Sequence, residues 1–383
     1  MGTGKGGVAA FSGCLQSQYQ HYSMTLKWVE AFKAVIRMNA CFMYNDCMQS
    51  KTNSQTLTLQ SIRKKLIPGL ILGVLVMLGL ALLGDLRQVE QSILTFYWLL
   101  FPLALLLTLF NYTLRFFKWH FYLNLVEARG LSLRESLRLF VAGFPLAVTP
   151  GKVGEVLKAV WVNRKTGVPV GRGISVVVAE RISDGMAVLM LSVAGIIAYP
   201  RYWPAFAAVL VFLLSVIVIS QIRPLALAAL GWMEKVPLAR RFAAGLREFY
   251  EGSNALFKPL PTLLAVGLGT VSWLGEGIGF YLILLGLGLP ASLQLASTAV
   301  FILAFATVIG AVSTLPGGLG AAEASIAGML TLLVGIEPAL ATTATLLIRL
   351  ATFWFGILLG MLAWAVSPDL LGLRERHGTL VEG

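Results

Sequence analysis

Charge is scarce in this chain: Asp, Glu, Lys and Arg make up 13% of 383 residues, about half the share of an ordinary soluble domain. Cysteine is scarcer still, with Cys14, Cys41 and Cys47 all ahead of the first long apolar run. Their spacings fit neither a zinc site nor a redox pair. Of three histidines, only His120 lies in the apolar part, inside an aromatic run suited to a membrane interface. The Gly-rich stretch at residues 2–7 lacks the spacing and the preceding strand of a phosphate-binding loop. No catalytic residue, metal site or cofactor is therefore expected.

Apolar residues are what is abundant, at 57% of the chain. Apolar runs of about eighteen residues or more recur, each long enough to cross a hydrocarbon core of roughly 30 Å. The formal net charge of +12 sits in clusters that flank those runs. That placement excludes a nucleic-acid surface and fits topology signals and lipid headgroups. The expected fold class is all-α: a polytopic helical membrane protein with two re-entrant hairpins in an inverted repeat.

Residues 1–60 read as a polar N-terminal segment, disordered or peripheral, with an amphipathic stretch from Met24 to Met38. Met43 or Met48 is an alternative start. A membrane domain over 61–366 follows. Its spans fall at about 66–84, 93–113, 174–199, 204–222, 260–287 and 340–366, with broken pairs at 135–149/152–163 and 296–315/319–335. The repeat halves are about 93–222 and 260–366, joined by a basic linker at 223–258, and residues 367–383 form a tail. With both pairs as hairpins, one face collects 19 Lys and Arg, Arg115 and Lys118 among them, and the other keeps Arg87 and Arg201. The rich face, with the C-terminus, is expected in the cytoplasm of a cell-membrane protein.

The two broken pairs resemble each other. The first carries Pro150, Gly151, Lys152, Gly154 and Glu155; the second carries Pro316, Gly317, Gly318, Gly320 and Glu323. A span with an intramembrane arginine follows each, Arg181 and then Arg349. Weak internal symmetry with interrupted helices is a transporter signature, and helices restarting at depth aim N–H groups at an anion. Glu180, Arg181 and Asp184 fall on one helix face, at about 2.5–3.5 kcal/mol each if exposed to lipid. They must face the interior. Arg349 shares a face with Thr342, Thr345 and Thr352, and Glu276 sits mid-span. Pairing of Arg181 with Asp184, and of Arg349 with Glu276 or Glu323, is the structural alternative to a binding role. Lys152 and Lys158 are placed nearer the surface, where they can snorkel.

The strings TPGKVGEVLKAVW, VAERISDGMAVLM, STLPGGLGAAEASIAGML and LLIRLATFWFGILLGML, in that order, resemble the transmembrane, flippase-like region of lysylphosphatidylglycerol synthases, here of the stand-alone UPF0104 type. The resemblance implies a multi-pass helical domain with re-entrant segments that flips a lipid, without the aminoacyl-transferase domain. It implies roles for Pro150, Gly151, Gly154, Glu155, Glu180, Arg181, Asp184, Pro316, Gly317, Gly318, Gly320, Glu323 and Arg349. Together with Lys152, Lys158 and Glu276, the charged members form the expected translocation site.

The leading expectation is a transporter of an anionic or phosphate-headed lipid: a phospholipid, an aminoacylated lipid or a polyprenyl phosphate. Membrane lipids are the expected partners, with a homo-oligomer as a further one. A membrane-embedded transferase acting on a lipid phosphate, or a membrane partner of a separate lipid synthase, stands as the alternative. The 36-residue linker carries no Asp-x-Asp motif.

Overall fold

The computed structural model describes residues 59–83, 85–149, 154–198, 203–222 and 237–367. The Met24–Met38 stretch and Pro150, Gly151 and Lys152 lie outside the described residues. Among those described, regular structure is entirely helical. In chain order the helices are α1 Leu59–Leu83, α2 Leu86–Leu94, α3 Leu100–Leu125, α4 Leu133–Ala142, α5 Val156–Thr166, α6 Val170–Ala198 and α7 Trp203–Gln221. Then come α8 Pro237–Leu256, α9 Pro259–Gly286, α10 Leu293–Val312, α11 Ala321–Met329, α12 Pro338–Arg349 and α13 Phe355–Ala365. Wide π turns at Leu330–Val334 and Leu350–Trp354 extend α11 and join α12 to α13.

Local signals set the boundaries. Ser132 and Glu135 form a reciprocal cap at the start of α4: Glu135 N–H donates to Ser132 Oγ at 3.3 Å, and Ser132 N–H to Glu135 Oε2 at 3.2 Å. Proline occupies the first turn of α9 and of α12, where its missing N–H costs no hydrogen bond. Ser292 Oγ accepts the Leu295 N–H at 3.1 Å to open α10.

Among the described residues, five segments are long and apolar enough to cross a membrane: Leu100–Leu125, Pro259–Gly286, Leu293–Val312, Pro316–Val334 and Pro338–Ala365. The protein is a multi-pass membrane protein. The two broken pairs differ in reach. α4 and α5 have 10 and 11 residues, about 15 Å each, half a hydrocarbon core. The limbs of the second pair have 20 and 19 residues, close to a full crossing.

α3 packs along α9, α6 packs along α9 and α10, and α13 packs on α4. The 3-10 turn Phe144–Val148, after α4, touches the 3-10 turn Pro316–Gly318, after α10. Backbone groups freed by these breaks find partners, as a low-dielectric surround demands. Trp364 Nε1–H donates to Ala142 O at 2.8 Å, Tyr112 O–H to Thr352 O at 2.7 Å, and Gly154 N–H to Thr149 Oγ1 at 2.8 Å. Gly317 and Gly318 hold φ of 63° and 69°, the left-handed region that glycine enters without a Cβ clash.

The linker contains more than basic coil. α8 lies against α6, and Arg172 Nε donates to Glu248 Oε2 at 2.7 Å. Gly171 makes the approach possible, since a Cβ there would meet Gly245 O at 2.3 Å.

Candidate functional site

Three helices and the residue ahead of α5 supply one connected set of charges. On α6, Glu180 accepts from Lys158 of α5 at 3.0 Å, from Arg181 at 2.9 Å and from Arg115 of α3 at 3.3 Å. Asp184 pairs with Lys118 of α3 and, at 3.4 Å, with Arg115. Arg181 reaches Glu155 at 3.4 Å. A separate pair joins Arg349 of α12 to Glu323 of α11 at 2.5 Å. Glu323 also accepts the Gly320 N–H at 2.6 Å, so the first donor of α11 is already held by a carboxylate of the chain itself.

Aromatic faces complete the cation environments. Lys158 Nζ lies 4.0 Å from the Trp119 ring centroid, Arg349 lies 4.4 Å from that of Phe353, and Arg115 lies 5.7 Å from that of Trp273. Such contacts add about 0.5–2 kcal/mol each where water is excluded.

These side chains surround a cavity of about 190 Å³ that both helix breaks border. Glu155, Lys158, Glu180, Arg181, Glu276, Arg349, Gly317 and Gly318 all line it. Asp184, Glu323, Pro316, Gly154 and Gly320 do not; Asp184 and Glu323 stand behind the wall and hold the cations that do.

Several expectations need correction. Arg181 pairs with Glu155 and Glu180 rather than Asp184, because Lys118 and Arg115 take Asp184. Arg349 needs no such correction: it takes Glu323, one of the two partners expected for it, and not Glu276. Lys158 does not snorkel: it is buried against Glu180 and Trp119. Of the threonine stripe, only Thr352 borders the cavity. Arg115 and Lys118 are not interfacial loop charges, since α3 runs on to Leu125 and buries them. Removing them lowers the expected count for the basic face from 19 to 17.

Sequence reasoning missed Tyr112, Arg115 and Trp273 as cavity residues. A signal existed for Arg115 and Lys118, placed three apart and so on one face of a helix. The adjoining FFKWHFYLN run masked it.

The described chain has the expected multi-pass helical layout, with its charges drawn inward around two breaks. A family model described as lysylphosphatidylglycerol synthase TM region matches residues 70–360. The chain belongs to that family. A UPF0104 membrane protein of Methanothermobacter thermautotrophicus is 24% identical over 319 residues, covering 76% of this chain and 90% of that relative. A UPF0104 membrane protein of Pyrococcus horikoshii is 26% identical over 250 residues, covering 58% of this chain and 73% of the relative. Within the matched region of the lysylphosphatidylglycerol synthase TM family fall all the cavity-lining charges, from Arg115 to Arg349. The family name ties the chain to lipid in a membrane. Among the described residues no cluster of His, Cys, Asp and Glu could hold a metal ion.

Proposed function

We propose that this chain moves a lipid with an anionic, phosphate-bearing headgroup across the cell membrane, with the headgroup in the charged cavity and the tails in lipid. The observation that carries this reading is the charge balance at the cavity. Five cations (Arg115, Lys118, Lys158, Arg181 and Arg349) are ion-paired there with four carboxylates (Glu155, Glu180, Asp184 and Glu323). Glu276, which also lines the cavity, is a fifth carboxylate there. One positive charge is left over while it is neutral and none when it is ionised, in a setting where intramembrane charges mark substrate paths. Arg181, with a third of its side chain still exposed, is the cation best placed to meet a headgroup.

The packing pattern supports two re-entrant hairpins in an inverted repeat. α3 packs on α9, and the break after α4 packs on the break after α10. α6 packs on α10, while α13, its counterpart in the second half, packs on α4. Exchanging the two halves maps these contacts onto one another. Such a pair of repeats can rock about a shared site and open it to each side in turn.

The test uses purified protein in vesicles of phosphatidylethanolamine and phosphatidylglycerol carrying a tail-labelled fluorescent phosphatidylglycerol. Access of dithionite to the label reads transbilayer movement. Wild type is expected to move the probe faster than protein-free vesicles, and Arg181→Ala to lose that movement while remaining monodisperse. If Arg181→Ala and Arg349→Ala both move the probe at the wild-type rate, the cavity is not the path.

A further inference from the structure

Glu276 differs from every other charged residue lining the cavity. Arg115, Glu155, Lys158, Glu180, Arg181 and Arg349 each have an ion-pair partner. Glu276, 5% exposed, has neither an ion pair nor a hydrogen bond among the described residues. The groups facing it each have another partner among the described residues, although Arg115 Nε and Arg349 Nη2 keep a donor without a hydrogen bond. From α3, Tyr112 donates to Thr352 O, and Arg115 pairs with Glu180 and Asp184. From α6, Glu180, Arg181 and Asp184 pair with the cations and carboxylates described above. From α12, Arg349 holds Glu323. α10 carries no titratable residue.

The backbone on either side of Glu276 packs closely against its neighbours. Gly275 and Gly277 pack so closely that a Cβ would lie 3.0 Å from Phe110 on α3 at the first and 2.9 Å from Val300 on α10 at the second. Burial without an ion pair of its own leaves this carboxyl as the cavity group whose charge no described neighbour fixes. It also borders the space through which the substrate would pass. A group that changes charge there alters the cavity's net charge by one at each change.

We propose that Glu276 is the proton carrier of this cavity, coupling lipid movement to a proton gradient. Its carboxyl takes one proton from the aqueous phase to which the cavity is open. It gives that proton to the opposite phase once the cavity has turned over. Protonated, it leaves the excess positive charge free for an anionic headgroup; ionised, it cancels that charge and favours release. The coupling rests on the transport reading above, whereas the titration of Glu276 does not.

Two measurements separate them. Difference infrared spectra between neutral and alkaline buffer, on protein in nanodiscs of phosphatidylethanolamine and phosphatidylglycerol, are expected to show a protonated-carboxyl stretch that bleaches with alkali. The band is lost in E276Q and shifted in E276D. A titrating band that survives in E276Q, or no such band in wild type, overturns the proposal. In the vesicle assay, an imposed pH gradient is expected to change the rate of probe movement in wild type, and E276Q to bring the ratio of rates with and without the gradient to one. An equal ratio in wild type and E276Q overturns the coupling while leaving transport intact. The infrared band with no probe movement in wild type overturns transport and leaves the proton site standing.

Discussion

Glu323 Oε1 lies 2.5 Å from Arg349 Nε, while the other oxygen of the same carboxylate accepts the Gly320 N–H at 2.6 Å. One side chain therefore fixes the helix that restarts after the second break and holds the arginine of the next span beside the cavity. Removing either partner strands a buried charge, at about 3–5 kcal/mol. Arg349→Met is expected to lower the thermal midpoint strongly in detergent. The double variant Glu323→Gln/Arg349→Met is expected to recover part of the loss, read by fluorescence-detected gel filtration after heating. Additive losses would show that the two residues do not act as a pair.

Lys118 gives a sharp contrast between sequence and structure. An interfacial lysine could be replaced within about 0.5 kcal/mol. The buried Lys118, wholly covered and paired with Asp184, should cost about 3–5 kcal/mol when changed to Met. Lys118→Met/Asp184→Leu is expected to be more stable than Lys118→Met alone, measured by chemical denaturation in detergent.

The turn at Pro316–Gly318 makes a backbone prediction. A Cβ on Gly317 would lie 2.6 Å from Phe353 Cζ, and one on Gly318 would lie 3.0 Å from Gly310 Cα. Both residues have positive φ, which costs a residue with a Cβ about 1–3 kcal/mol. Gly317→Ala and Gly318→Ala are expected to lower the thermal midpoint. Gly267→Ala, in the middle of α9 with nothing within 4 Å of the added atom, is expected to leave it unchanged or raise it.

The cap of α4 predicts a pH dependence. Hydrogen bonds from Ser132 hold the Glu135 carboxyl below its ordinary value of 4.5. A depressed carboxyl contributes stability that is complete above that value and is lost as pH falls through the lower, folded one. Ser132→Ala should weaken this dependence, because the backbone N–H at position 132 still donates to the carboxylate. The gap between the midpoints of wild type and variant should narrow as the pH drops below about 4.5, leaving the part due to the lost Ser132 Oγ cap on the Glu135 N–H. A gap that does not change with pH would count against the reciprocal cap.

How far the sequence led depends on the kind of signal. Apolar length is local, so most helix bounds were readable to within a few residues. The span expected at 93–113 was the exception: the helix starts at Leu100 and runs on to Leu125, because FFKWHFYLN reads as interface whether or not its lysine is buried. Burial of Lys118 depends on Asp184 arriving from another helix. The repeated Pro-Gly motif pointed to Glu155, Arg181, Glu323 and Arg349, of which Glu155, Arg181 and Arg349 border one cavity and Glu323 holds Arg349 from behind it. Which carboxylate each arginine takes was not readable, since helical spacing gives the face and not the neighbour across it.

Composition and hydropathy by themselves determined a multi-pass helical membrane protein with breaks near two Pro-Gly motifs and charges that must turn inward. Burying backbone and charge in lipid is too costly for any other outcome. Tertiary structure alone decided that Arg115 and Lys118 join the buried set, that Glu323 serves Arg349, and that Glu276 has no ion-pair partner among the described residues. Those assignments are choices among several nearby groups of opposite charge, and only the packing of α3, α6, α9 and α12 sets the distances that make them.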